Sequence, residues 1–261
     1  MKGQTLSSYS NLIQTILRAD YKIYAVDEYI REKPEKNVVV LRHDVDVNPH
    51  QALLMAKLER SLGVKSTYYF RYIPRVFNES IIKSIGEMGF EVGYHYETLD
   101  KSYGNFPEAI SLFKNELESF RKIAPVKTVC SHGNVVRNKH YSGLNYDIFK
   151  FSENLLEECN LKAEAYLNML FSPLVYLSDS IERTSNPFKS VEDLIRRIEM
   201  QSEDDINYYI LFHPCLWPNG TVDSFKIKLK KTIFHTSAKM FRLLSKGRGC
   251  DNNSAQKTSL N

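Results

Sequence analysis

Four segments of this sequence set carboxylates, imidazoles and a guanidinium where they could do chemistry together. The first is Arg42-His43-Asp44-Val45-Asp46. In an extended chain Arg42, Asp44 and Asp46 share one face. One carboxylate can then bind a cation while the other stays ionised as a base. The second is Gly93-Tyr94-His95-Tyr96-Glu97, in which Gly93, His95 and Glu97 share a face. An imidazole and a carboxylate two residues apart can chelate one divalent ion, and Gly93 leaves room beneath His95. The third is Cys130-Ser131-His132, with the thiol and the imidazole on one face. In the fourth, His213 follows four apolar or aromatic residues, and a polar group so placed needs a partner. Asp179, in Leu177-Ser178-Asp179, either orients a site base or begins a loop. His50, His140 and His235 fall in helix-like or loop segments and read as ordinary surface or satisfied residues.

The elements that must position these groups alternate regularly. Val38–Asp44 is a continuous apolar run with a polar end, the pattern of a parallel strand covered on both faces. Further strands are expected at Lys65–Tyr72, Phe90–Tyr96, Thr128–Gly133, near Ala163–Asn168 and Leu174–Asp179, and at Asn207–Pro214. Helical spacing marks Pro49–Leu62, a segment capped at Asn78 and running to Met88, residues 106–123, and Ser190–Gln201. Seven strands separated by helices imply a parallel sheet with right-handed crossovers, either a closed or nearly closed barrel or an open doubly wound sheet. In a β/α barrel the chemistry gathers at the C-terminal ends of the strands, where all four segments fall.

Length and composition set the frame. A chain of 261 residues with 43% hydrophobic residues suits one large α/β domain. The expected bounds are 1–246, with residues 36–217 carrying the motifs and 247–261 a polar, disordered tail. A net charge of +4, much of it after residue 225, gives no argument for nucleic acid. From about Asp223, Lys226, Lys228, Lys230, Lys231, Lys239 and Arg242 interleave with apolar residues. A basic amphipathic helix can make peripheral contact with an anionic membrane, but the preferred reading is a last barrel helix with a solvated face. The N-terminal residues lack the apolar core of a secretory signal, and no stretch approaches the ~20 apolar residues of a membrane span. Four cysteines without a CxxC pair suit free thiols. The expectation is a cytoplasmic protein.

Several of these segments together resemble the polysaccharide deacetylases of carbohydrate esterase family four, the NodB homology domain. LRHDVDVNPHQALLMAKLERSLGVKSTYYF resembles the first motif, GYHYETLD the histidine motif, LSDS the fourth-motif region and ILFHPCLW the fifth; the form is that of a divergent H-D-V-D branch. The resemblance implies a distorted (β/α)7 barrel and a divalent metal ion, zinc by preference. It assigns Asp44 as catalytic base, Asp46 and His95 as metal ligands and His213 as catalytic acid, with Arg42 and Asp179 in support. The family's second metal histidine would stand at Leu99, so Glu97 or His132 is left as the third ligand, and the Arg-Pro motif after the fourth strand is replaced by His132-Gly133-Asn134. The activity implied is hydrolysis of a C–N amide bond, most simply N-deacetylation of an amino sugar or glycan intermediate. The rival readings are a metal-free C–N hydrolase on the same barrel, a cysteine hydrolase using Cys130 or Cys215, and an inactive glycan-binding homologue.

Overall fold

The computed structural model describes residues 4–133, 135–137, 141–166, 174–179, 190–201 and 206–220. Met1–Trp217 forms one compact unit, and Pro218–Asn261 is counted as a second, of which only residues 218–220 are described. The expected domain end at 246, the basic helix and the polar tail all lie outside the described residues.

All seven expected strands are present. After α1 (Leu6–Arg18), the short β1 (Lys22–Tyr24) and α2 (Val26–Glu32) come β2 (Val38–Val45), α3 (Pro49–Ser61), β3 (Thr67–Arg71), α4 (Glu79–Glu87), β4 (Glu91–Tyr96), α5 (Thr98–Lys101), α6 (Phe106–Arg121) and β5 (Thr128–Ser131). A hairpin of β6 (Val135–Arg137) and β7 (Ser142–Leu144) follows, then the short α7 (Ile148–Phe151) and α8 (Leu155–Glu158), β8 (Ala163–Glu164), β9 (Val175–Ser178), α9 (Val191–Gln201) and β10 (Tyr208–Phe212). The main sheet is parallel in the order β8-β5-β4-β3-β2-β10-β9, with β1 added to the first half of β2. The cap read from the sequence at Asn78 holds, since it accepts a hydrogen bond from the amide of Ile81; Asn105, which no sequence signal had marked, caps the helix ahead of Pro107 by accepting from the amide of Glu108.

The sheet is a curled half-barrel, an α/β fold of the distorted (β/α)7 kind, with no pairing between β8 and β9 among the described residues. Its curl brings distant strands together across the inner face. The Tyr209 hydroxyl on β10 donates to the carbonyl of Ala165, just past β8, at 3.3 Å, although four strands separate β10 from β8 in the ladder.

Alternation along β2 divides its side chains between two environments. Val38 and Val40 pack inside with Tyr69, Cys130, Ala163 and Tyr209, while Val39 and Leu41 pack outside beneath α1, α3 and α9. Arg42 and Asp44 continue the inner row. His43 continues the outer one, where it meets Glu59 of α3 at 2.8 Å. Gly93 is required by its neighbours: a Cβ there would overlap the Tyr69 ring and come 3.0 Å from the Thr128 carbonyl. The room that Gly93 leaves is therefore filled by Tyr69, not held open beneath His95.

Glu59 fastens α3 to the outer face of β2. It is fully buried and accepts hydrogen bonds from the hydroxyls of Tyr9, Ser66 and Tyr68 as well as meeting His43. Burial alone would raise its pKa, but the His43 charge and hydrogen bond, with those from Tyr9 and Ser66, bring it below the ordinary glutamate value. A carboxylate lowered in this way stabilises the fold fully above its unfolded value of about 4.3. That contribution is lost as pH falls through the lowered folded value. Glu59→Gln is expected to destabilise the protein at pH 7 by about 1–3 kcal/mol, the usual cost of leaving buried hydrogen-bonding groups poorly matched, and to flatten the acid limb of its melting-temperature profile. Thermal melts of both proteins from pH 7 down to 3 check this; parallel acid limbs would contradict it.

Candidate active site

The four segments meet at the C-terminal end of the sheet. Asp44 is the penultimate residue of β2 and Asp46 lies just past it, His95 lies in β4 with Glu97 just past it, and His132, Asp179 and His213 follow β5, β9 and β10. Parallel register sets His95 opposite Arg71 on one side and Cys130 on the other. Strand ends 34 to 169 residues apart in sequence thereby deliver their side chains to one place.

Asp46 is the meeting point. Its Oδ1 lies 3.4 Å from His95 Nε2 and 3.7 Å from His132 Nε2, and its Oδ2 lies 3.8 Å from His213 Nε2. Burial would raise the pKa of this carboxyl, but the facing His95 imidazole and the charges on His213 and His95 hold it well below the usual carboxylate range. The imidazoles respond in opposite ways. Burial lowers His95, yet Asp44 and Asp46 raise it above its ordinary value. His132 is pushed down to about 3, by burial first and then by the neighbouring His95 charge. A neutral imidazole next to a carboxylate is the form that binds a metal.

Below this level sits Asp44, 2% exposed, with Oδ2 3.7 Å from His95 Nε2 and 3.6 Å from Arg42 Nη2. Arg42 is wholly buried and is enclosed by the rings of Tyr166, Tyr209 and Tyr69 at 4.4, 5.3 and 5.8 Å. Aromatic faces stabilise a desolvated guanidinium. Its Nη1 donates to Cys130 Sγ at 2.7 Å. The Cys130 thiol is fully buried, and burial pushes its pKa well up despite Arg42, so it is a poor nucleophile. That counts against Cys130 as the nucleophile of a cysteine hydrolase.

His213 is held from behind. Its Nδ1 lies 2.6 Å from Asp179 Oδ1, its amide donates to Asp179 Oδ2 at 2.9 Å, and Trp217 Nε1 donates to that same oxygen at 2.9 Å. With Nδ1 engaged, Nε2 is the nitrogen turned toward Asp46. Burial lowers the His213 pKa, but the Asp179 charge and hydrogen bond outweigh it and push it up to about 9.

Two sets of described side chains bring three ligand atoms close enough to share one ion: Asp46, His95 and His132, and the deeper Asp44, His95 and Cys130. The upper set fits a divalent cation on one observation in particular. Asp46 Oδ1 is buried without a hydrogen-bond partner while two imidazole nitrogens face it. The deeper set already has a fixed cation, the Arg42 guanidinium, at its sulfur. Glu97 is in neither set. Its Oε2 pairs with Arg71 at 2.5 Å and stands 3.5 Å from His132 Nδ1, behind the ring. Leu99 is fully buried in the hydrophobic core, so nothing at that position could replace a missing histidine ligand. His50 is exposed; His140 and His235 lie outside the described residues.

Arg71 and Trp217 escape the sequence reading. Arg71 ends β3 and joins two of the site's loops, donating to the Asp46 carbonyl at 3.2 Å and pairing with Glu97. The signal was available, since it is a charged residue closing an apolar strand. Trp217 gave none, because an apolar residue after a strand does not announce a hydrogen bond.

No family profile and no curated protein matches this sequence. Distant structural likenesses exist. A CE4 esterase from Streptococcus mutans shares 13% identity at a TM-score of 0.47, over 85% of this chain and 91% of that one. A CE4 family pseudoenzyme from Bacillus anthracis shares 14% at 0.44, over 76% of this chain, which spans only 62% of that protein's length. A family 4 carbohydrate esterase from Streptomyces lividans, in complex with acetate, shares 16% at 0.42, over 69% and 79%.

The Asp179–His213 pair makes a measurable prediction. A histidine raised by its partner contributes stability that is complete below its unfolded pKa of about 6.5 and fades as pH rises through the folded value of about 9. Histidine NMR of metal-stripped protein is expected to show one imidazole titrating near that value, and Asp179→Asn should bring the resonance back toward the ordinary range. An unchanged titration in Asp179→Asn would contradict the assignment.

Proposed function

We propose that the protein is a metal-dependent hydrolase of C–N amide bonds that removes the N-acyl group from an amino sugar or glycan intermediate. The buried Asp46 Oδ1, which has no hydrogen-bond partner and faces His95 and His132, carries the metal part of this reading. Asp46, His95 and His132 would hold the ion, and a donor set of nitrogen and oxygen suits zinc. Such an ion lowers the pKa of bound water toward ~7 and stabilises charge on the acyl oxygen.

The chain's own groups do the rest. Asp44 takes the proton of the attacking water, with the Arg42 guanidinium 3.6 Å behind it. His213 donates a proton from Nε2 to the departing amine, and Asp179 fixes the ring so that this nitrogen points into the site. Motif order over residues 36–217 supports the choice of an N-acyl sugar over other amides. The thiols of Cys130 and Cys159, neither of them in a disulfide, support a reducing, cytoplasmic setting. Among the described residues no helix is long and apolar enough to cross a membrane.

The test pairs metal content with turnover. Purified protein is expected to bind about one equivalent of zinc and to release acetate from N-acetylglucosamine oligomers, with activity lost to a chelator and restored by zinc. Asp44→Asn should retain the fold and the metal but lose at least 100-fold in kcat, the lower range for removing a general base. Activity indifferent to a chelator would favour the metal-free hydrolase, and activity surviving Asp44→Asn would refute the base assignment.

A further inference from the structure

His132 lies one residue beyond the end of β5, at the last rung of the strand ladder. Two contacts hold it. Its amide donates to the Tyr96 carbonyl at 2.7 Å, and its carbonyl accepts a hydrogen bond from Asn145 Nδ2 at 3.1 Å. Asn145 is wholly buried, and its Oδ1 accepts from the amide of Asp100 at 2.9 Å. One side chain thus clamps the loop after β5 to the start of the short α5, four residues past the His95 strand. Both ends of the amide are determined by their partners. The Asp100 amide can only donate and the His132 carbonyl can only accept, so a group of this size must offer one acceptor and one donor. Asparagine does; aspartate does not.

We propose that Asn145 is a positioning residue that holds His132 in the geometry needed to complete the metal set. This rests on the metal-dependent reading above. It also accounts for how a ligand borrowed from the neighbouring strand stands in for one that Leu99 cannot supply. A backbone held by a buried side-chain clamp gives His132 the rigidity that a strand would have given. Outer contacts of this kind usually matter to metal affinity by about 10- to 100-fold.

Zinc affinity measured by competition with a chromogenic chelator tests this, beside the visible spectrum of the cobalt(II)-loaded protein. Asn145→Asp keeps the size and the bond to Asp100 but sets an oxygen against the His132 carbonyl. It is expected to weaken zinc about 10- to 100-fold and to alter the cobalt d–d bands, which a purely structural loss of stability would not do. His132→Ala serves as the reference for losing the ligand itself. A second readout needs no variant: zinc should slow hydrogen exchange of the Asp100 amide in the unaltered chain, since the clamp and the ion stabilise each other reciprocally. If His132→Ala loses zinc while Asn145→Asp binds it like the unaltered chain, or if Asp100 exchange is indifferent to zinc, the inference is overturned and the metal centre stands. If the unaltered chain does not bind zinc, both fall together.

Discussion

A carboxylate surrounded by three imidazoles is the arrangement on which this molecule's site depends. Desolvating an isolated carboxylate costs several kcal/mol even after relaxation. Asp46 sits 25% exposed with His95, His132 and His213 all within 3.8 Å of its oxygens. Those imidazoles come from β4, β5 and β10, so the favourable energy exists only when three separate strand ends are held at one level. Parallel pairing supplies that level, and the curl of the sheet closes the distance between its two sides. Misplacing any one of the three strand ends would leave a poorly paired charge beside the core.

The remainder of the chain supports that register. On the inner face, Arg42 is stacked among three tyrosine rings beneath Asp44 and beside Cys130, so a fixed positive charge lies under the site. On the outer face, Glu59 ties α3 to β2 and β3 through His43 and three hydroxyls. Consecutive residues 42, 43 and 44 therefore serve the floor of the site, the helix layer and the site itself, an assignment set by the two-residue period of a strand. Arg71 and Asn145 then join loops that the sheet leaves free, the former between Asp46 and Glu97, the latter between Asp100 and His132.

Local signals revealed more of the fold than of the site's supports. Each of the seven strands was visible as an apolar run with a polar end, because a buried parallel strand must be apolar on both faces and must stop where it meets solvent. The same rule singled out Asp44, Asp46, His95, His132, Asp179 and His213. It left both Glu97 and His132 open as the third ligand, because spacing fixes which face a side chain takes but not what stands opposite. Arg71 on the next strand claims Glu97, and no local pattern records that. Glu59 was invisible for a related reason. A glutamate in the middle of a helix looks like a solvated residue until Tyr9, 50 positions earlier, is packed against it. Asn145 acts through hydrogen bonds to residues 13 and 45 positions away, and Trp217 through one to a residue 38 positions away.

The upper and deeper ligand sets differ in one atom that spectroscopy can recognise, the sulfur of Cys130. X-ray absorption at the zinc edge of the loaded protein is therefore the most direct measurement. Nitrogen and oxygen neighbours at about 2.0–2.1 Å with the outer scattering of two imidazoles would match a centre built on Asp46, His95 and His132. A zinc–sulfur shell at about 2.3 Å would contradict it, moving the ion to the level of Asp44 and displacing Arg42 from the role described.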